Sequence, residues 1–211
     1  AKIPCFDPSS AVEAKHMVFD AFDLSEQYHI PVMLRPAGRV NHCREDVELG
    51  AVRPGDHPAK FVKDVRRWVC LPAHVRLTHP QLNAKNDAIR QDFESRFGAY
   101  NYELAAKKPA KLGIVAGGVS FAIVQDLLAS WGREDVAVLK IGTPVPLPEK
   151  MVMDFISRHD NVLILEETYP VIENQLPDRT KVKGRHNGFV PRAGELLPEV
   201  IEELVLRALG E

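Results

Sequence analysis

The sequence is short of several things, and each shortage removes a class of function. Among 211 residues there are three cysteines, Cys5, Cys43 and Cys70, an odd number and far apart. No two stand at the spacing that a zinc or iron–sulfur site requires, and the set does not build a disulfide framework. Such usage suits a reducing compartment, so a cytoplasmic location is expected. No apolar run is long enough to cross a bilayer and no signal-peptide layout opens the chain, so no membrane partner is expected. Charge of one sign is lacking too, because 27 Lys and Arg face 29 Asp and Glu, for a net charge of −2. A nucleic-acid binder would show a strong basic excess, and none is predicted here. His16, His29, His74, His79, His159 and His186 have no metal-ligand spacing, so no metal residue is assigned.

What is present is an ordinary globular composition, 45% apolar and 27% charged, in a chain long enough to bury a good core. The most informative stretch holds three strand-then-helix phrases: LGIVAGGVSFAIVQDLL, VAVLKIGTPVPLPEKMVMDFI and NVLILEETYPVIENQL. Each opens on five or six apolar, mostly β-branched residues, then turns into apolar positions at helical spacing. Continuous apolar strands alternating with helices predict an α/β fold, a parallel sheet covered on both faces. Ligands meet such sheets at the carboxyl ends of the strands. Those ends carry Gly117-Gly118, Gly142-Thr143-Pro144 and Glu166-Glu167-Thr168.

The chain opens on Ala1 rather than methionine and reads almost at once as helix over 10–28, with Ser10 and Glu13 forming a capping box. Ala14, Met17, Val18, Ala21, Leu24 and Tyr28 make its apolar stripe. Residues 32–34 read as a short buried strand. One helix and one strand do not make a sheet, so residues 1–43 are read as the tail of a larger α/β domain. Residues 44–77 are read as a linker, with a turn-rich run at Arg53-Pro54-Gly55-Asp56-His57-Pro58 and a short extended piece over 67–71. Residues 78–211 are the second domain. Its first helix runs over about 78–97, with Leu82, Ile89, Phe93 and Phe97 on the buried side. An edge strand over 179–183 and a closing helix over 198–209 complete it.

The wording of several stretches then points to a family. PSSAVEAKHMVFDAFDLSEQYHIPVMLRPAGRVNH resembles the α subunit of indolepyruvate ferredoxin oxidoreductase, where the first thiamine-diphosphate domain ends in a similar helix, strand and Arg-x-x-x-Arg-x-x-His phrase. KFVKDVRRWVCLPAH, LGIVAGGVSF, VLKIGTPVPLPEKMV, VLILEETYPVIENQL and GFVPRAGEL resemble the linker and second domain of the same subunit, a transketolase C-terminal-like (Rossmann-like) α/β domain. The resemblance implies a parent enzyme that oxidatively decarboxylates aryl-2-oxo acids with thiamine diphosphate, magnesium, iron–sulfur clusters and coenzyme A. Its implied partners are the rest of the α subunit, a β subunit and ferredoxin. The family's Gly-Asp-Gly…Asn motif and its cluster cysteines have no counterpart here, and Gly55-Asp56-His57 does not replace the motif. No catalytic residue is therefore assigned, and the chain alone is expected to be inactive and structural. A related reading places it in a pyruvate or 2-oxoglutarate ferredoxin oxidoreductase.

The candidate cleft residues fall into three groups. Arg35, Arg39, Asn41 and His42 follow the first strand, where the family's chain leaves the cofactor domain. Arginines there either hold a substrate carboxylate or coenzyme A phosphate in bidentate fashion, or pin the linker to carboxylates and carbonyls. Gly117, Gly118 and Ser120 either cradle a phosphate at a helix start, which would make the chain a self-sufficient nucleotide-binding module, or form a tight βα turn. They lack the three-glycine fingerprint and a ribose-binding acid about 20 residues on. Glu166 and Glu167 end a strand and point to opposite faces, so they do not converge for acid–base work. One is expected to cap a helix or meet the adjoining domain, and the other to be solvated. Arg179, Lys181, Lys183 and Arg185 alternate, which on an extended strand lines up four charges on one side, either as an anion site for coenzyme A phosphates or, as preferred here, to keep the edge from unwanted pairing. Finally, residues 1–43 are expected to pair between molecules, dock against the chain's own second domain or be disordered, with pairing to a second copy the preferred outcome.

Overall fold

A computed structural model describes residues 2–52 and 60–211. The run Arg53 to Pro58, including Gly55-Asp56-His57, and Ala1 lie outside the described residues. Strand β1 (Cys5–Phe6) leads into helix α1 (Ala11–Tyr28), strand β2 (Met33–Leu34) and the short helix α2 (Gly38–His42). Ser10 caps α1, its hydroxyl accepting from the Glu13 amide at 3.1 Å. The reciprocal half of the box is different, because the Glu13 carboxylate accepts from the amide and hydroxyl of Ser9.

β1 was not foreseen, and it changes the reading of the first 43 residues. It pairs in parallel with β2 on one side, and on the other Cys5 and Asp7 donate to Val145 and Gly142 at 2.7 and 2.8 Å. The segment is thereby joined to the rest of this chain rather than left to find a second copy. Met17 and Leu24 of α1 are buried with Phe6, and they pack on Ile89, Phe93, Phe97 and Tyr100. The predicted stripe is right at these positions, whereas Val18 is exposed. The 32–34 strand is not buried as expected. It pairs only with the short β1, and Met33 is 46% exposed.

In the linker, residues 67–71 are not one extended piece. Asp64 accepts from the Arg66 and Arg67 amides at 2.9 and 3.3 Å, and that cap seeds the helical turn α3 (Val65–Trp68). Helix α4 (Pro72–Ser95) begins earlier than predicted, because Pro72 occupies the first helical position, where its missing N–H costs nothing. Pro80 sits inside it rather than starting it.

The sheet has the order β3-β5-β4-β6-β7. It is formed by β3 (Asn101–Leu104), β4 (Leu112–Gly117), β5 (Val136–Ile141), β6 (Val162–Leu165) and β7 (Val182–Lys183). The last four run parallel; β3, which the sequence did not reveal, adds antiparallel to β5. Helices α5 (Gly118–Trp131) and α7 (Pro198–Leu209) cover one face, and α6 (Glu149–Ser157) covers the other. Leu112, Ile114 and Ala116 pack with Phe121, Ile201 and Leu204. Val115 packs with Val152 and Phe155 across the sheet. Alternate residues of one strand thus feed two cores, which is why the apolar runs are continuous. Asn101 knits β3 to the end of β5: its amide donates to Thr143 Oγ1 at 2.6 Å, and its carbonyl accepts from the Gly142 and Thr143 amides.

β7 is an edge strand of two residues only. The four alternating cations do not share a face. Arg185 is buried and donates to the Glu166 and Pro191 carbonyls. Lys183 donates to the Ala208 carbonyl at 3.2 Å, and Lys181 to that of Ser157. Backbone carbonyls that need donors draw them in different directions.

Candidate functional site

The carboxyl ends of β4 and β6 open onto a cleft of about 610 Å3. Its far wall is the stretch 35–42, where the chain leaves β2 and enters α2. Six of the nine predicted residues line it: Arg35, Arg39, His42, Gly117, Gly118 and Glu167. Glu166 lies just beneath, fully buried, while Ser120 is buried in α5 away from the opening and Asn41 faces solvent.

Asp7 is the residue that sequence reasoning missed. It follows β1 directly and is 5% exposed, with its carboxylate 2.7 Å from Arg35 Nη2. Burial pushes the Asp7 carboxyl up to about 6, although the Arg35 guanidinium opposes this. A lone Asp between a two-residue strand and Pro8 carries no periodic or motif signal, which is why the sequence did not single it out.

Asp7 also explains the glycine pair. Gly118 has φ +52, the left-handed region that side chains rarely adopt, and a methyl group there would stand 2.8 Å from Asp7 Oδ1. At Gly117 a methyl would stand 3.2 Å from the Ile141 carbonyl. The turn is glycine because a carboxylate and a backbone carbonyl press against it. A phosphate cradled on these residues would meet the Asp7 carboxylate, so the geometry opposes the phosphate-cradle reading.

Glu166 and Glu167 diverge as the strand requires. Glu166 turns inward and accepts from the Ile172 and Glu173 amides at 2.7 and 3.0 Å, capping a short 3-10 turn. Burial raises its pKa to about 7, and those backbone donors hold it from rising further. Glu167 was not expected to be satisfied by protein if its neighbour did the capping. Instead it ion-pairs with Arg39 and accepts from the Leu196 amide at 2.6 Å. Arg39 donates onward to the Leu196 carbonyl at 3.2 Å. Arg39 therefore ties the exit of the first segment to the sheet's carboxyl edge through Glu167, while Arg35 braces that exit on Asp7 within the same segment. Among the described residues of the cleft no nucleophile is hydrogen-bonded to a base, and its two arginines are each paired with an acid.

A second tie lies behind the first. Lys140 of β5 is 4% exposed and reaches Glu13 at 2.5 Å and the Ser9 hydroxyl at 3.1 Å. Its ammonium stands 4.8 Å from the Phe121 ring centre, a cation–π contact.

Known proteins resemble this chain in sequence and in fold. In an alignment of 220 positions that spans all of this chain, it is 39% identical to "Indolepyruvate oxidoreductase subunit IorA" of Thermococcus kodakarensis. The resemblance read from the sequence holds along the whole chain. The IorA subunits of Pyrococcus horikoshii and Archaeoglobus fulgidus are 35% and 31% identical to it. The chain spans about a third of the length of these curated relatives, 34% for the first. No family model matches the chain. Among solved structures, a 2-oxoglutarate:ferredoxin oxidoreductase from Magnetococcus marinus superimposes with a TM-score of 0.65 at 13% identity. The match covers 98% of this chain and 42% of that one, and it shows that the fold is shared.

Proposed function

We propose that this chain serves as a structural part of an α subunit that oxidises aryl-2-oxo acids, indolepyruvate foremost, to acyl-coenzyme A. Electrons pass to ferredoxin and a β subunit completes the assembly. The observation that supports this reading most is the end-to-end similarity to IorA, carried by a chain whose own cleft is built from struts. Thiamine diphosphate with magnesium, and iron–sulfur clusters, would supply the decarboxylation and electron transfer. The residues present do not fit those groups. Among the described residues no group of three or more His, Cys, Asp or Glu converges to hold a metal ion. Cys5 is buried, with its thiol pushed up to about 11 by that burial, while Cys43 and Cys70 are free on the surface. A thiolate ligand is not readily made from such a Cys5.

What the chain contributes is position. In this reading Arg39 holds the exit of the thiamine domain against the second domain through Glu167, Arg35 braces that exit on Asp7, and the two fix one wall of the substrate cleft. A location in the cytoplasm goes with a soluble partner such as ferredoxin; no helix among the described residues is long and apolar enough to cross a membrane. The rival nucleotide-binding reading is disfavoured by the Asp7 carboxylate on the glycine turn.

The test is ferredoxin reduction by the full-length polypeptide carrying this segment, assembled with its partner subunit, with coenzyme A and a panel of 2-oxo acids. Indolepyruvate should be the best substrate, and Arg39→Ala should raise KM and loosen the assembly. Preference for pyruvate or 2-oxoglutarate would move the protein to a sister enzyme, and no 2-oxo-acid oxidation at all would overturn the reading.

A further inference from the structure

Three ion pairs lie at the seam between the first segment and the sheet, and one of them does not cross it. Glu13 pairs with Lys140 of β5 and Arg39 with Glu167 beyond β6, so each joins one side to the other. Asp7 and Arg35 belong to the same side. Their pair stays intact if the segment lifts away, so it does not oppose lifting. What closure does to Asp7 is bury it. Its amide donates to the Gly142 carbonyl, its carboxylate presses on Gly117 and Gly118, and it is 5% exposed. Among the described residues Arg35 Nη2 is the donor to that carboxylate, whereas the buried Glu166 of the sheet takes two backbone amides.

The charges around Asp7 do little to relieve it. Glu13 of α1 and Glu167 at the sheet edge face it as like charges, and each already has its own cation. Arg35 is the cation facing it, and that guanidinium also faces the Cys5 thiol and Glu166. A buried carboxylate with one shared cation and two acids nearby is costly, and a proton removes the cost. Once the segment lifts, water removes it instead. We propose that a proton on Asp7 latches the first segment onto the sheet, and that its loss as pH rises lets the segment lift, carrying the cleft wall 35–42 with it. The sign follows from burial, which pushes the Asp7 carboxyl up to about 6 in the closed seam. Closure is therefore favoured at about pH 4 and weakens as pH rises towards about 7. Glu166 keeps its amide donors when the segment lifts, so its proton stays with the sheet. Residues 43–52, with neither helix nor strand, supply the slack that lifting needs. The latch is independent of the proposed activity.

Native-state hydrogen exchange of the 211-residue chain across about pH 5 to 8, read for α1 and β4 separately and corrected for the intrinsic exchange rate, tests this. The opening constant of α1 should rise about tenfold between about pH 5 and 7 and then level off. Asp7→Asn keeps the shape of the protonated acid. It should abolish that rise and leave α1 better protected than the wild type at about pH 7, by about tenfold or more. A merely structural ion pair predicts the opposite, because weakening it would loosen α1 at every pH. Glu166→Gln should leave the rise in α1 in place. The wild-type profile decides by itself where Asp7→Asn does not fold. A flat α1 profile in the wild type would overturn the proposal. So would an Asp7→Asn chain that is less protected near neutral pH or still shows the rise, or a rise abolished by Glu166→Gln instead.

Discussion

The sheet and the first 43 residues are held by different physics. In β4, β5 and β6 every residue is buried, and the strands are sandwiched between α5 and α7 on one side and α6 on the other. Their stability is area-driven and redundant. The first segment buries a handful of side chains and relies on specific ties: Phe6 in its aromatic nest, Arg39 to Glu167, Glu13 to Lys140, and the Tyr100 hydroxyl to Asp20. The difference teaches where damage should be local and where it should be global. A lost methyl in the sheet weakens the whole molecule, whereas one lost tie should free the segment first.

The largest effect is expected from Phe6→Ala. Phe6 is fully buried and meets Phe93, Phe97 and Tyr100 edge-on at 5.6 to 5.9 Å. The change should cost about 3–5 kcal/mol. Limited proteolysis should then cut within 1–43 while the sheet survives; simultaneous loss of both would erase the contrast. Next comes Glu13→Gln, which leaves the Lys140 ammonium buried without its counter-charge, at a cost of about 3 kcal/mol. Glu13→Leu with Lys140→Met should recover most of that in a denaturation series. If the double variant is no better than the single, the pair is not the source of the loss.

Gly118→Ala should cost about 1–3 kcal/mol, from the positive φ and the contact with Asp7. Removing Asp7 as well should return the contact part only, so a double-variant cycle separates the two. The effect with the smallest step is the response to pH, which accrues gradually rather than in one substitution. Asp7 and Glu166 both have raised folded-state pKa values, about 6 and about 7, from burial. The folded protein therefore holds these protons more tightly than the unfolded chain does. Stability should fall as pH rises from near 4 towards 7, by about 1 kcal/mol per pH unit for each group while its window is open. Asp7→Asn should flatten the lower part of that slope and Glu166→Gln the upper part, read as urea midpoints across pH.

What could be read from the sequence follows the same divide. The strand–helix phrases declared β4, β5 and β6 because burial on both faces leaves a continuous apolar run. The glycine and glutamate candidates at their carboxyl ends came from that topology, and Gly117, Gly118 and Glu167 do line the cleft, joined by Arg35, Arg39 and His42, which the family resemblance singled out. β1 and β2, two residues each, are too short to show any period, and β3 (Asn-Tyr-Glu-Leu) has one covered edge and mixed polarity. Asp7 was invisible because its role is set by what packs on it from 110 residues away, at Gly117 and Gly118. The reach of Arg39 to Glu167 is likewise a tertiary fact. The linker misled in the opposite sense: its β-favouring Val and Trp residues suggested extension, and a single Asp64 cap turned Val65 to Trp68 into helix.

The central claim is that the first 43 residues are an integral, separately breakable layer of this fold. Native-state hydrogen exchange of the 211-residue chain, resolved by segment, addresses it most directly. The account predicts that amides of α1 are protected, with an opening free energy below that of β4 and β5, and that Phe6→Ala abolishes protection in α1 while sparing the sheet. Exchange of α1 at unfolded-chain rates in the wild type would contradict it, as would an opening of α1 indistinguishable from global unfolding in both proteins.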